Sequence, residues 1–495
     1  MRSAAHVEVA VREVPAARAW PELVDALRET AGFWLLESAL AGGPLGRFSF
    51  AGAAPRQIAR GGGARVEIEG AAGRRTLRGD PFDLLRELLR TGLAADAAPE
   101  LPFVGGAVGW LGYELGARAA GAPPRAPDDL ALPELCLLFV DRVLAFEHAS
   151  GRLRAAALGF GADASRARAC AERAAERLAT RVARGDRDPF EAGPRAAPPR
   201  ALAAALAAEP FRLLDGATGQ TLGAWFDEAA YAKAVLRIQD HIAAGDVYQA
   251  NLTHRLALDC RADPWRIYSE LRRSNPAPFA AYLELPELAV VGSSPERFLR
   301  IEPDGRVESR PIKGTRPRGA SEADDRRLRA ALAASEKDRA ENVMIVDLVR
   351  NDLGRVCRTG SVEVPQLFAI EDYATVFQMV STVRGRLRPG LGAVDVLRAA
   401  FPPGSMTGAP KRAAMRLLAE LEPVRRGVYS GALGWFDARG GADLAVVIRT
   451  LLCRPPRAWL QVGGGVVLDS EPAAEWAESL DKARALLDAL AAVSA

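Results

Sequence analysis

Short β-rich runs separated by glycine clusters dominate the first third of this chain, and they restrict it to sheet-based architectures. Such runs occur at 33–36, 47–51 and 135–146, with glycine clusters at 61–63 and 105–109. Brief apolar runs with this punctuation predict strands and turns. Residues 81–91 read as a helix, and 162–186, rich in Ala, Arg and Glu, as a polar surface helix. The segment 187–222 is rich in Ala, Pro and Gly with little periodicity, which predicts a linker or variable insertion. It separates an N-terminal region, 1–186, from a second region, 223–495. Beyond it, 227–244 has helical spacing, and strands alternate with long helices from there on, an α+β pattern.

A chain of 495 residues is too long for one small core, so it forms two domains or one large composite domain. Its formal net charge of +3 and locally balanced arginines argue against nucleic-acid binding. No apolar stretch reaches the roughly 20 residues of a membrane-spanning helix, and no cationic start precedes an apolar run. The expectation is a cytoplasmic protein. The five cysteines, Cys136, Cys170, Cys260, Cys357 and Cys453, are far apart, which disfavours a disulfide framework or a zinc site. None lies in the Gly-x-Cys-x-Gly turn that a thiol-based glutaminase needs. The last histidine is His254, so chemistry in the second half rests on carboxylates, lysine and arginine.

Residues 322–353 read as one long helix closed by Gly354 as a left-handed C′ residue. Pro410 opens another helix, and the last one starts at Ser470 as N-cap, with Pro472 in its first turn, and runs to about 493. Asp338 and Glu341 are three residues apart, as are Glu475 and Glu478, which puts each pair on one helical face. A single pair of this kind is ordinary surface charge. Four carboxylates brought together would suit Mg²⁺, which takes hard oxygen ligands. Gly463-Gly464-Gly465 lies between two β-rich runs, a pattern that marks a bulge or a close backbone approach to a ligand. The run 403–411 leads into a helix N-terminus, where an anion is favoured. Lys313, in the proline-bounded turn 311–317, is either part of a basic loop or, if desolvated, a nucleophilic amine.

In order along the chain, several motifs resemble the chorismate-utilising enzyme family, which includes anthranilate, aminodeoxychorismate, isochorismate and salicylate synthases. They are Gly245-Asp246-Val247-Tyr248-Gln249, Ser294-Pro295-Glu296-Arg297-Phe298, Pro311-Ile312-Lys313-Gly314-Thr315, 340–348, Thr407-Gly408-Ala409-Pro410-Lys411, Ile448-Arg449-Thr450 and 463–478. A looser likeness in the N-terminal part runs through Leu35-Leu36-Glu37-Ser38, 46–50 and 105–109. The resemblance implies an anthranilate-synthase-type composite β-sandwich with helices packed on the outside, and makes 223–495 the chorismate-binding catalytic region. It also implies amination of chorismate at ring carbon 4. Gln249 stands where water-using members have lysine, and Lys313 stands where anthranilate synthases have alanine. On this transfer Lys313 is a covalent nucleophile at carbon 2 and Glu296 the general acid. As a nucleophile Lys313 needs a lowered pKa, from desolvation or from the charge of Arg310 or Mg²⁺. Glu341 and Glu478, with Asp338 and Glu475 close behind, bind Mg²⁺. Gln249, Thr315, Thr407, Gly408, Tyr429, Arg449, Gly463, Gly464, Gly465 and Lys482 hold the substrate. Glu37 and Ser38 belong to a tryptophan-type pocket. Ammonia comes from a separate glutamine amidotransferase subunit.

Three other readings compete. An anthranilate synthase component I is opposed by Lys313. A non-catalytic tryptophan-sensing subunit is opposed by the intact set of Lys313, Glu296 and the four helix acids. A generic metal-binding α+β protein leaves Lys313 and Gln249 unexplained.

Overall fold

The computed structural model describes residues 6–15, 18–40, 45–71, 73–190, 211–373 and 376–494. Short polar side chains set many helix starts. Asp80, Asp163, Asp227 and Asp263 each accept a hydrogen bond from a backbone N–H two or three positions on, satisfying donors that have no partner inside the first turn. The helix Ala164–Arg184 buries a stripe of Ala167, Ala171, Ala175, Leu178 and Val182 and leaves its arginine-rich face to solvent. The small alanines let it lie close on Ala10 and Ala157 of the sheet beneath.

Two large antiparallel sheets result, of 13 and 12 strands among the described residues. Each takes strands from both sides of 187–222. In the first, Trp34–Glu37 pairs with Phe279–Glu284; in the second, Gly106–Leu111 pairs with Ala432–Asp437. The structure is thus the composite β-sandwich with outer helices. One core lies between the sheets, around Trp34, Phe103, Trp110, Trp435 and Trp459, with Phe103 stacked on Trp435 at 5.1 Å. A second lies under the helices Trp20–Leu27, Pro264–Ser274 and Arg484–Ser494. A third lies under Pro81–Leu89, Glu336–Gly354 and Ala393–Ala400. No helix among the described residues is long and apolar enough to cross a membrane. All five cysteines are free, and four are buried.

Several local expectations need correction. The helix over 322–353 is two helices, Glu322–Ala334 and Glu336–Gly354. Ser335 breaks them with an extended ψ of 109°, and its hydroxyl accepts from the Asp338 N–H at 3.3 Å. Gly354 is the last helical residue and is followed by a right-handed Arg355, so it is not a left-handed cap. The last helix is also two, Pro472–Asp481 and Arg484–Ser494, and Glu471 precedes the first. Ser470 is spent on a turn, accepting from the Val467 N–H and donating to Glu475. Of the expected linker, 191–210 lies outside the described residues, whereas Phe211–Leu214 and Thr221–Ala224 are strands added beside Gln249–Asp259.

One buried ion pair holds the end of the sandwich where the glycine run lies. The Arg426 side chain is 1 % exposed and Glu422 5 %. Arg426 donates to Glu422 at 2.6 and 2.9 Å, to the carbonyls of Met406 at 2.6 Å and Asn251 at 2.7 Å, and to Ser430 at 3.2 Å. Its guanidinium lies 4.4 Å from the Tyr113 ring centre. Glu422 also accepts from the N–H and hydroxyl of Thr253 at 3.0 and 2.8 Å. Removing one member of such a pair strands the other charge, at a cost of about 3–5 kcal/mol. Arg426→Met should therefore lower the guanidinium chloride midpoint sharply, and pairing it with Glu422→Leu should recover part of the loss. A single variant as stable as the parent would contradict this.

Candidate active site

The floor is the antiparallel pair Gln249–Asp259 and Arg457–Val466. Asn251 faces Gly465, Leu252 faces Gly464 and Thr253 faces Gly463, so the glycine run makes no bulge. It serves close approach instead. A Cβ on Gly465 would lie 2.1 Å from Gln249 Nε2 and 3.1 Å from Lys313 Nζ, and one on Gly464 would lie 2.8 Å from Glu475 Oε2. Gly408, at φ +141°, passes so near the strand that a Cβ would meet the Gln249 carbonyl at 2.1 Å.

Lys313 reaches this floor from the strand Ile312–Pro317, whose pairing slips between Ile312 and Thr315. The slip lets Lys313 and Arg316 both face the helix Glu336–Gly354. Lys313 Nζ lies 3.5 Å from Glu341 Oε2, and Arg316 bonds Asp338 at 2.7 Å. Thr315 is exposed on the same strand and takes no part in these bonds. Arg310 is paired with Glu371, so its charge is not directed at Lys313. Glu296, in the turn between Ala289–Ser294 and Arg297–Ile301, is buried. Burial drives its carboxyl up to about 7, against the downward pull of the Ser405 hydroxyl and Lys313. A carboxylic acid half protonated near neutral pH can serve as a general acid. Gln249 is 1 % exposed, and its Oε1 has no partner.

Each of the four helix acids has its own partner. Besides the pairs above, Glu478 bonds Lys482 at 2.8 Å, and Glu475, only 5 % exposed, accepts from Ser470 at 2.7 Å. Burial, with the nearby charge of Glu478, raises the Glu475 carboxyl. What burial does to Glu478, whose side chain is 57 % exposed, is outweighed by Lys482, so its carboxyl lies below the usual range. Among the described residues no three Asp, Glu, His or Cys side chains form a group ready for a metal. The helices nonetheless face each other across lysines: Lys313 and Lys337 both pull on Glu478. The oxygens of Glu341 and Glu478 are the hard donors that Mg²⁺ takes, and the ion would have to replace the ammonium groups now meeting their charge.

Arg449 and Tyr429 carry groups suited to an anion. Arg449 has a strained φ of +49°, and burial alone pulls its guanidinium down, with no carboxylate to offset it. Tyr429 is buried, which raises its phenol well above the ordinary value and keeps it a neutral donor. Thr407 is turned inward, its N–H and hydroxyl both bonded to the Gly404 carbonyl at 3.2 and 3.1 Å. Lys482 donates to the Gly463 carbonyl at 2.8 Å as well as holding Glu478. Ser405 was not singled out from sequence; a hydroxyl two positions before Thr407 was the available signal.

The profile of the chorismate binding enzyme family matches residues 46–488. The chain belongs to the chorismate binding enzyme family. It is 44 % identical over 469 residues to an aminodeoxychorismate synthase of Streptomyces pristinaespiralis, covering 93 % of this chain and 62 % of that protein. The chain therefore spans about three fifths of that relative's length. It is 41 % identical over 466 residues to anthranilate synthase component 1 of Streptomyces coelicolor, covering 93 % and 84 % of the two chains. The crystal structure of anthranilate synthase component I from Streptococcus pneumoniae superposes with a TM-score of 0.72 at 29 % identity, covering 90 % of this chain and 93 % of that one.

In this chorismate binding enzyme a large cavity lies elsewhere, between the sheets. It measures about 1100 Å³ and is lined by Glu37, Ser38, Phe48, Phe279, Arg297 and Trp435. Glu37 accepts from the Trp20 indole N–H at 2.9 Å and the Tyr268 hydroxyl at 2.7 Å. Ser38 donates its hydroxyl to the carbonyls of Leu45 and Pro278. Both polar groups of the expected tryptophan-type pocket are thus engaged by the chain itself.

The raised Glu296 carboxyl carries a pH dependence. It holds its proton below about 7 and loses it as pH rises through that value. Taken alone it makes the folded state bind more protons than the unfolded chain between 4.5 and about 7, so its contribution to stability falls as pH rises across that window. Turnover that needs the acid form should decline above pH 7, and Glu296→Gln should remove both that limb and nearly all turnover. A profile flat to pH 9 would exclude Glu296 as the acid.

Proposed function

We propose that this enzyme replaces the carbon-4 hydroxyl of chorismate with an amino group, forming 4-amino-4-deoxychorismate for para-aminobenzoate and folate synthesis. The observation that carries the reading is the meeting of Lys313 with Gln249 over Gly465, a second contact placing Lys313 beside Glu341. The unprotonated Lys313 amine attacks ring carbon 2, both ring double bonds shift by one bond (to 1,6 and 4,5), and the carbon-4 hydroxyl leaves as water with the Glu296 proton. Ammonia then bonds to carbon 4, the electrons shift back, and the lysine departs from carbon 2. The extra proton on the new amine returns through the site to Glu296. Two allylic displacements retain the configuration at carbon 4. Gln249 Oε1, buried and without a partner among the described residues, would accept an N–H of ammonia.

Glu341 and Glu478, with Asp338 and Glu475 behind them, would hold Mg²⁺, which supplies positive charge to the ring carboxylate of chorismate. Arg449 and Tyr429 meet the enolpyruvyl carboxylate, so the dianion is bound by opposite charge at both ends. Ammonia is delivered by a separate glutamine amidotransferase subunit, a reading supported by the name component 1 of relatives such as that of Klebsiella aerogenes. Free tryptophan would bind beside Glu37 and Ser38 through the acceptor capacity that their existing bonds leave.

The decisive assay is mass spectrometry of the product from chorismate, ammonium and Mg²⁺. Aminodeoxychorismate is expected, whereas anthranilate would establish carbon-2 amination as in the anthranilate synthases. With ammonia withheld, the intact protein should gain the mass of chorismate minus water, mapped to Lys313. Lys313→Arg keeps the charge but not the nucleophile and should fail about as badly as Lys313→Ala; near-normal product from it would leave Lys313 only an electrostatic role.

Glu341→Gln and Glu478→Gln should each lose most turnover with unchanged far-ultraviolet circular dichroism. Full activity of both in metal-stripped buffer would rule out a Mg²⁺ role.

A further inference from the structure

On one face of the floor strand, two buried side-chain atoms have no partner among the described residues: Gln249 Oε1 and the Asn251 amide nitrogen. The two residues are i and i+2 on one strand, so they share a face about 6.8 Å apart. Asn251 stands opposite Gly465 in the ladder, the residue whose missing side chain leaves room beside Lys313. Its backbone is pinned on both sides. The N–H donates to the Thr407 carbonyl at 2.9 Å, and the carbonyl accepts from Arg426 at 2.7 Å. The place of the side chain along the floor is therefore fixed.

A carboxamide here has no packing rationale. Asn251 is 7 % exposed, and an unbonded buried donor destabilises a fold that an apolar residue of similar shape would not. Such locally unfavourable choices persist where a ligand completes them.

We propose that Asn251 is a substrate-reading residue whose amide N–H donates to an oxygen at the enolpyruvyl end of chorismate, on the Thr407 side of the floor. This rests on the chorismate-aminating reading. Gln249 serves the ring end beside Lys313, and Asn251, one side-chain spacing along and next to Thr407, serves the enolpyruvyl end. A neutral donor suits this place because the dianion's charge would already be answered by Arg449 and by a cation held between Glu341 and Glu478. The contact is made in substrate and transition state alike, so it acts mainly on KM.

The test uses the full chain and three variants, Asn251→Leu, Asn251→Ala and Asn251→Asp, read by steady-state kinetics and thermal unfolding. Parent protein that makes no aminated product from chorismate would defeat the functional reading itself, before any variant is compared. With an active parent, Asn251→Leu is expected to raise KM for chorismate about ten- to hundredfold, the worth of a hydrogen bond to a charged group, with a smaller fall in kcat. Its Tm should equal or exceed the parent's, because an unpaired donor has been removed. Asn251→Ala should share the KM effect. Asn251→Asp, the same shape without the donor and with a repelling charge, should be worse than either. A Tm several degrees lower in Asn251→Leu would mean that the carboxamide is bonded within the fold, for example to Gln249, and overturns the proposal. So would a KM within twofold of the parent's in both Asn251→Leu and Asn251→Asp.

Discussion

The Arg426–Glu422 pair determines where the parts of the site stand relative to one another. Taking both charges out of water is costly, and replacing such a pair with apolar residues is often harmless to stability. What it supplies here is geometry. Arg426 reaches the carbonyls of Met406 and Asn251, and Glu422 takes both donors of Thr253. A floor strand, the loop before Gly408 and the end of the helix Lys411–Leu421 are thereby locked to one guanidinium and one carboxylate. A leucine in either place would fill volume but hold no register between those three segments.

Around that hub the charges are arranged by depth. Carboxylates near solvent, Glu341, Asp338 and Glu478, are matched by Lys313, Arg316 and Lys482. Deeper groups lack full compensation: burial outweighs the pull of Lys313 on Glu296 and raises its carboxyl, and burial lowers the Arg449 guanidinium, with no offsetting carboxylate among the described residues. Ion-paired carboxylates thus stand beside Lys313, whose charge also pulls on the buried Glu296.

Much of this was legible in sequence because glycine, lysine and glutamine carry strong local meaning. The triple glycine announced a close approach, and the structure puts Gln249 and Lys313 in the space it leaves. What escaped depended on partners distant in the chain. The break at Ser335 follows from a capping hydroxyl, a signal present in Ser335 and Asp338 but masked by helical spacing on both sides. Ser470 looked like a cap because nothing local revealed that Glu475, buried, would claim its hydroxyl. Arg310 seemed free to act on Lys313 until Glu371, on another strand, proved to be its partner. The strands Phe211–Leu214 and Thr221–Ala224 lack alternation of their own and exist because an edge was there to pair with.

The seam inside each sheet has a consequence for synthesis. Leu35 pairs with Tyr282, and Val108 with Trp435, so strands made early must wait for partners hundreds of residues downstream. At about 5–20 residues per second on the ribosome, the wait is on the order of ten seconds or longer. Throughout that interval the N-terminal strands are incomplete sheets with unpaired edges, the state most prone to wrong association. A nascent chain of this design cannot mature in two independent halves. It depends on chaperones, or on edges too short and too charged to find one another, until the last strands emerge.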